Sequence, residues 1–347
     1  ILKVLGRGEE EIDVRVPNRK LSEKEFKEYN VRANLNMGEW NYDLLANSFD
    51  LKELIQFGFE EENLLGIWPD TTLRDDKIPD LPVEVKSKKG DLYELGPHKI
   101  LCGDSTNLQD VKKLMGEGAT SKILFTSPPY NMGGKMCENY EDNLESEEYV
   151  KFNINVINTW KPFLKGFLFW NISYNKKSRW EFIEIINRIV KIPGMKFLEL
   201  IVWNKKHALP IRSKEMLTRQ YEDILLAGTE EEVQEDMDIF VLSKNDKKAW
   251  FNKKTGKGIS NYWEIGTNQT QLKNHLACYP VALPVKGILL MSEPGDLVVD
   301  PFLGSGSTLI AAEKTGRICY AMELDPTYVD VAVQRWEEYT GQKAKKL

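Results

Sequence analysis

Leu297-Val-Val-Asp300 is a short apolar run that ends in an acid and passes at once into Pro301-Phe302-Leu303-Gly304-Ser305-Gly306-Ser307-Thr308. The helical stretch Leu309-Ile-Ala-Ala-Glu-Lys314 follows. Strand, glycine turn and helix in that order build a ligand crevice at the carboxyl end of a parallel strand. Gly304 and Gly306 let the backbone turn sharply and come close to a ligand where a Cβ would collide. The chain around this turn must therefore supply a parallel sheet with helices on it. From Tyr93 onward it does: β-rich runs at Lys99–Cys102, Lys122–Thr126, Gly166–Trp170, Phe197–Trp203, Asp223–Ala227, Asp296–Val299 and Arg317–Met322 alternate with helical stretches. This pattern predicts an α/β domain.

The acids around the turn narrow the ligand. The strand Ile318–Glu323 ends in a carboxylate 19 residues after Gly304, where a Rossmann-like unit places the acid that accepts from ribose hydroxyls. A dinucleotide fits poorly, because position 309, where the third glycine would fall, is Leu, and Asp300 would repel a pyrophosphate. An acid there suits a cationic amine. A nucleoside with an aminoacyl tail, S-adenosylmethionine, satisfies both conditions. A P-loop is excluded, since Gly is nowhere followed by Lys and then Ser or Thr.

Lys122-Ile-Leu-Phe-Thr126 runs into Ser127-Pro128-Pro129-Tyr130. Two prolines fix φ and remove two N–H donors, so this loop is stiff and presents carbonyl acceptors. An exocyclic base amine is a poor nucleophile because its lone pair is delocalised into the ring. Accepting its hydrogens at Ser127 Oγ and the Pro128 carbonyl would localise that pair, with Tyr130 as a stacking face. Such a base is unreachable inside a duplex and has to be flipped out.

Together, Thr126-Ser-Pro-Pro-Tyr-Asn131, Asp300-Pro-Phe-Leu-Gly-Ser-Gly-Ser-Thr308, Leu101-Cys-Gly-Asp104-Ser and Glu323-Leu-Asp-Pro326 resemble the amino-group DNA methyltransferases, in the β arrangement of motifs. The resemblance covers roughly residues 92–340. It implies a circularly permuted, Rossmann-like fold, S-adenosylmethionine as cofactor and double-stranded DNA as partner. By analogy with the family, Asp104 would contact the adenine amino group and Glu323 the ribose. Phe302 would pack near the adenine, and the turn from Gly304 to Gly306 would line the methionine part. The permuted order also makes physical sense: Lys99–Cys102 would supply the third strand that is missing after the helix Tyr328–Tyr339. Asn274-His275-Leu-Ala-Cys-Tyr279-Pro280 is similar to the family's segment before the cofactor strand but lacks the frequent His-Pro start. In this family Ser before Pro-Pro-Tyr is more usual for cytosine N4, and an acid or Asn for adenine N6. Ser127 therefore favours cytosine, with adenine as the alternative.

The rest of the chain is read around this domain. Residues 1–75 carry short helical patterns, among them a capping-box pair Ser22/Glu25 and the spacing Trp40-Leu44-Leu45-Phe49. Val14–Lys20, Tyr29–Arg32 and Gly38–Ala46 resemble the tail of the ParB/sulfiredoxin-like domain that precedes some phage-type methyltransferases. This mainly helical segment is expected to brace the catalytic domain. Because residue 1 is Ile and the chain opens as if inside a helix, a natural N-terminus upstream is expected. Residues 76–91, with Pro79 and Pro82, read as a linker to a catalytic domain at 92–347. Between 229 and 274 the alternation of strands and helices breaks. Acids at 230–238 give way to Lys244, Lys247, Lys248, Lys253, Lys254 and Lys257, with Trp250 and Phe251 among them. This insertion is the expected target-recognition region, its lysines neutralising phosphates.

Charge sharpens that assignment. The 347 residues carry 47 Lys+Arg against 53 Asp+Glu, a net −6, so nucleic acid cannot be held by bulk charge and needs a local patch. Four dispersed cysteines without a CxxC pair and three histidines give no metal site and fit a reducing cytoplasm, bacterial or phage-infected. No apolar run is long enough to span a membrane. A homodimer is compatible with the sequence. A carbon-5 cytosine mechanism needs a thiolate after proline, and the cysteines follow Leu, Met, Ala and Ile. The rivals that remain are a catalytically silent DNA-binding module and an enzyme methylating RNA or a protein amide.

Overall fold

The computed structural model describes residues 75–131, 143–174, 178–205, 220–231, 260–266 and 278–347, with short pieces within 19–29, 54–59, 135–141 and 240–250. The chain order begins β1 (Leu92–Leu95), β2 (His98–Cys102), α1 (Leu108–Met115), β3 (Ser121–Thr126), β4 (Lys135–Cys137), β5 (Tyr140–Glu141), α2 (Ser146–Trp160), β6 (Leu164–Ile172) and α3 (Arg179–Ile189). It continues with β7 (Met195–Asn204), β8 (Tyr221–Thr229), β9 (Phe240–Leu242), β10 (Lys248–Trp250), β11 (Tyr262–Glu264) and α4 (Ala282–Met291). The last elements are β12 (Leu297–Asp300), α5 (Ser307–Thr315), β13 (Ile318–Glu323), α6 (Pro326–Thr340) and β14 (Lys345–Lys346). Each of the seven strand runs read from the sequence is a strand.

One ten-stranded sheet has the order β11-β7-β8-β6-β3-β12-β13-β2-β1-β14. Its centre, β6-β3-β12-β13-β2, is parallel. β8 runs antiparallel between β6 and β7. The register Glu323↔Cys102 puts β2 beside β13, so an N-terminal strand completes the sheet after the C-terminal one, as the permuted fold requires.

Alternation along the strands divides the core into two layers. On β3, Ile123 and Phe125 face the layer that holds Ile288 of α4, Leu309 of α5 and Trp336 of α6. Leu124 faces the layer that holds Leu114 of α1, Ile157 of α2 and Ile185 of α3. Local chemistry sets the helix ends. Asn107 Oδ1 accepts from Gln109 N at 2.9 Å at the start of α1, and Asp325 Oδ1 accepts from Thr327 N at 2.8 Å at the start of α6. Where β6 crosses β3, Gly166 is required by close approach: a Cβ there would lie 1.9 Å from the Lys122 carbonyl oxygen.

The Ser22/Glu25 capping box forms, with Glu25 Oε2 accepting from Ser22 N at 2.9 Å and Ser22 Oγ from Glu25 N at 3.3 Å. The Trp40–Phe49 pattern lies outside the described residues. Between 76 and 91 there is neither helix nor strand, yet this stretch is tied down. Val281 N donates to Asp76 Oδ1 at 2.8 Å, and Lys86 N and Ser87 N donate to the Asp330 carboxylate at 2.6 and 3.1 Å. Just before it, Asp75 forms a buried ion pair with Lys314 of α5 at 2.8 Å. Within residues 229–274, β9 pairs with β10 and β11 extends the main sheet beside β7.

Candidate active site

Parallel strands all point their carboxyl ends to one side of the sheet, and the predicted motifs gather there. The glycine turn follows β12, Asp104 follows β2, Glu323 ends β13, and Ser127 to Tyr130 follow β3. Gly304 and Gly306 adopt φ of 53° and 92°, the left-handed region where glycine is favoured, and a Cβ on Gly304 would meet only open space. The turn thus exposes backbone to the crevice.

Glu323 reaches into this turn. Its Oε2 accepts from Gly304 N at 2.8 Å and its Oε1 from Asp325 N at 2.9 Å, while Gly103 N donates to its carbonyl at 2.9 Å. It makes no ion pair among the described residues. Burial pushes its carboxyl up to about 7, against the pull of those backbone donors. Asp104 Oδ1 accepts from Thr106 N and Oγ1 at 2.9 and 2.7 Å. Phe302 lies half-buried with its ring 5.8 Å from that of Phe152 and 6.4 Å from that of Trp170. Ser305 and Ser307 are buried, and Arg335 Nη1 donates to the Ser305 carbonyl at 3.0 Å.

Asp300 differs from the direct ligand contact expected of it. It is completely buried and takes four hydrogen bonds from the protein. Thr126 Oγ1 at 2.6 Å and Phe302 N at 2.9 Å donate to Oδ1, and Thr308 Oγ1 at 2.6 Å and Tyr279 Oη at 3.1 Å donate to Oδ2. Its charge is committed to the turn. Burial raises its carboxyl above the ordinary value, with the same donors opposing. The Asp300–Tyr279 bond gives Tyr279 a place at the site, while residues 274–277 of the motif read before it lie outside the described residues.

Next to the turn, the Ser-Pro-Pro-Tyr loop is held by partners that the sequence did not reveal. Ser127 Oγ and Tyr130 Oη are 2.6 Å apart, and Tyr130 Oη donates to Glu222 Oε2 at 3.0 Å. Asn171 Nδ2, at the end of β6, donates to Tyr130 Oη at 2.8 Å, to Glu222 Oε2 at 3.1 Å and to Ser127 Oγ at 3.3 Å. Lys205 Nζ, just past β7, pairs with Glu222 Oε1. Tyr149 Oη donates to the Pro129 carbonyl at 2.7 Å, which stiffens the loop further. Asn171 was findable as the polar residue that interrupts the apolar run Phe167–Ile172. Glu222 was not, because its arrival here depends on β8 running antiparallel. Of the six lysines expected to bind DNA, Lys244, Lys247, Lys253, Lys254 and Lys257 lie outside the described residues, and Lys248 lies on β10.

The arrangement is a nucleoside crevice beside a polar acceptor loop. A family model described as DNA methylase, of the N6/N4 type, matches residues 121–334, well over half of the chain. The chain belongs to the N6/N4 DNA methylase family, the amino-group DNA methyltransferases. S-adenosylmethionine is the methyl donor of this family. The chain is 28% identical over 256 residues to the type II methyltransferase M.BglII of Bacillus subtilis, a match covering 68% of each chain. It is 33% identical over 135 residues to M.Cfr9I of Citrobacter freundii, covering 39% of this chain and 42% of that one. The chain thus spans less than half of the length of one of these relatives and about two thirds of the other. The solved PvuII DNA methyltransferase, described as cytosine-N4-specific, shares the fold with a TM-score of 0.53 at 22% identity, covering 76% of this chain and 94% of that one.

The residues of the crevice fit the family's cofactor. Glu323 is an acid without a cationic partner among the described residues, facing a glycine turn with room beside it, as ribose hydroxyls require. No helix among the described residues is long and apolar enough to cross a membrane.

Proposed function

We propose that this methylase modifies the exocyclic amino group of a base flipped out of duplex DNA, with cytosine N4 as the favoured target. The observation that carries this reading is the adjacency of two loops. β3 and β12 are neighbouring parallel strands, and Thr126 joins Asp300 directly before the acceptor loop of one and the glycine turn of the other. A nucleoside at the turn and an amine at Ser127 would then meet at one end of the sheet.

Bound S-adenosylmethionine supplies an electrophilic methyl on a sulfonium that departs as a neutral thioether. The protein's own residues do the rest. Glu323 receives ribose hydroxyls, Asp104 keeps Oδ2 for the adenine amino group, and Phe302 offers an aromatic edge to the adenine ring. Pro301 through Thr308 shape the methionine end, and Asp300 acts as the brace of that turn rather than as a direct contact. Ser127 Oγ and the Pro128 carbonyl accept the amine hydrogens, Pro129 keeps the loop rigid, and Tyr130 lends its ring face to the base. The lysines at 244–257 grip the phosphates of double-stranded DNA.

Incubating the protein with labelled S-adenosylmethionine and mixed-sequence duplex DNA or RNA tests the substrate; label confined to RNA refutes the reading. Nucleoside digestion and mass measurement of the labelled DNA then identify the base. N4-methylcytosine is expected, and N6-methyladenine alone would transfer the assignment to adenine.

A further inference from the structure

Proton positions in the acceptor network can be counted. A tyrosine hydroxyl has one proton, and Tyr130 spends it on Glu222, which as a carboxylate can only accept. Tyr130 Oη must then accept from Ser127 across 2.6 Å, with Asn171 Nδ2 as its second donor at 2.8 Å. The single Ser127 proton therefore points inward, and Ser127 keeps one lone pair for the amine beside the one that accepts from Asn171 Nδ2 at 3.3 Å. Glu222 is buried at 8% exposure, and Lys205 holds its other oxygen. The polarity of the whole chain is fixed from its far end.

The geometry points to Glu222 as the positioning residue that sets Ser127 as an acceptor and as the terminal proton acceptor of amine methylation, through the relay Ser127–Tyr130–Glu222. This inference rests on the amino-methyltransferase reading. A methylated exocyclic nitrogen is cationic and must shed one proton. As its N–H bond breaks, Ser127 Oγ takes that proton and passes its own to Tyr130 Oη, whose proton moves to Glu222 Oε2. The products are a neutral methylamine and a neutral carboxyl group, which returns the proton to solvent after the base leaves. Burial and the Glu222 charge hold the Tyr130 phenol well above its usual range, so it hands protons on without ionising. Before the transfer, the Glu222 charge favours the positive charge that grows on the amine.

Glu222→Gln is close to isosteric but reverses the order. Lys205 draws the amide oxygen to itself, so the amide NH₂ faces Tyr130. Tyr130 then donates to Ser127, and Ser127 presents a proton to an amine whose lone pair is delocalised into the ring and accepts poorly. The expected result is a kcat about 100-fold lower, with KM for DNA and affinity for S-adenosylmethionine unchanged. Tyr130→Phe, which cuts the relay at its middle, should show a comparable loss of kcat.

A binding readout needs no turnover. A duplex with cationic 3-methylcytosine at the target position, mapped by methylation sequencing, imitates the charged amine. Relative to the cytosine duplex, native protein should prefer it about tenfold more than Glu222→Gln does. Unchanged kcat in Glu222→Gln, or an equal preference in the two proteins, overturns the relay. Failure of native protein to methylate DNA would instead overturn the function on which it rests.

Discussion

Thr126 Oγ1 lies 2.6 Å from Asp300 Oδ1, so the last residue of the strand before the acceptor loop is hydrogen-bonded to the last residue of the strand before the glycine turn. Both groups are fully buried. Thr126→Val keeps the shape and removes one of the four donors on a buried carboxylate, an expected cost of about 1–3 kcal/mol. Because the same carboxylate holds Phe302 N and Thr308, affinity for S-adenosylmethionine should fall together with the melting temperature. Calorimetric titration and thermal unfolding check this, and a variant with native cofactor affinity would show that the turn is shaped without the Thr126 bond.

Glu323 gives the apo protein a pH dependence with a definite sign. Its carboxyl is raised from the ordinary value to about 7, so the folded state binds a proton more tightly than the unfolded state. Its contribution to stability is complete below about pH 4.5 and is lost as pH rises through about 7. Ribose hydroxyls donate best to the ionised form, so cofactor binding should release a proton near pH 6.5 and strengthen as pH rises. Titrations in buffers of different ionisation enthalpy measure that release. Glu323→Gln should abolish it, raise the apo melting temperature at pH 8 and weaken cofactor binding.

How far these relationships could be read in advance depends on how local they are. Ser127-Pro-Pro-Tyr130 and the turn at Gly304–Gly306 are contiguous, their backbone demands are written in Pro and Gly, and the apolar runs that lead into them are short strands. The placement of Lys99–Cys102 beside Ile318–Glu323 was also legible, since the sheet lacks a strand where the chain runs out. Asp300 shows the limit. Its position beside the turn suggested a ligand contact, but four donors from β3, the turn, α5 and Tyr279 consume it, and those donors are brought together by the fold. Glu222 and Lys205 carry no motif at all. Glu222 reaches Tyr130, and Lys205 reaches Glu222, because β8 runs antiparallel between β6 and β7, and the orientation of a pair is not encoded in the alternation of apolar residues within either strand.

The segment before β1 is expected to be integral to stability. Lys314 and Asp75 form an ion pair with 2% and 4% of their side chains exposed, and the Asp75 carbonyl accepts from Arg335 Nη2 at 2.8 Å. Removing one charge strands the other in the core, at an expected cost of about 3–5 kcal/mol for Asp75→Asn or Lys314→Met. The double variant should be milder than the sum. Arg335 also holds Ser305, so Asp75→Asn should loosen the cofactor turn as well. Denaturant unfolding of the four proteins gives the cycle, and strict additivity would show that the pair is uncoupled.

The lysine segment makes its own prediction, in the salt dependence of DNA binding. Each phosphate neutralised by a lysine releases condensed counterions, which steepens the log–log salt slope by about 0.9 per contact on duplex DNA. If Lys253 and Lys254 each neutralise one phosphate, replacing both with Ala should flatten the slope by nearly 2 units. Affinity should fall most at low salt and almost equally for specific and unrelated duplexes, because phosphate contacts carry no sequence information. Cofactor affinity should not move, since the glycine turn is built from other parts of the chain. Fluorescence anisotropy from 50 to 300 mM salt, about the range over which such slopes are resolved, measures the change. A slope equal to that of the native protein would place the phosphate contacts elsewhere, and a loss confined to one sequence would make these residues readers of bases.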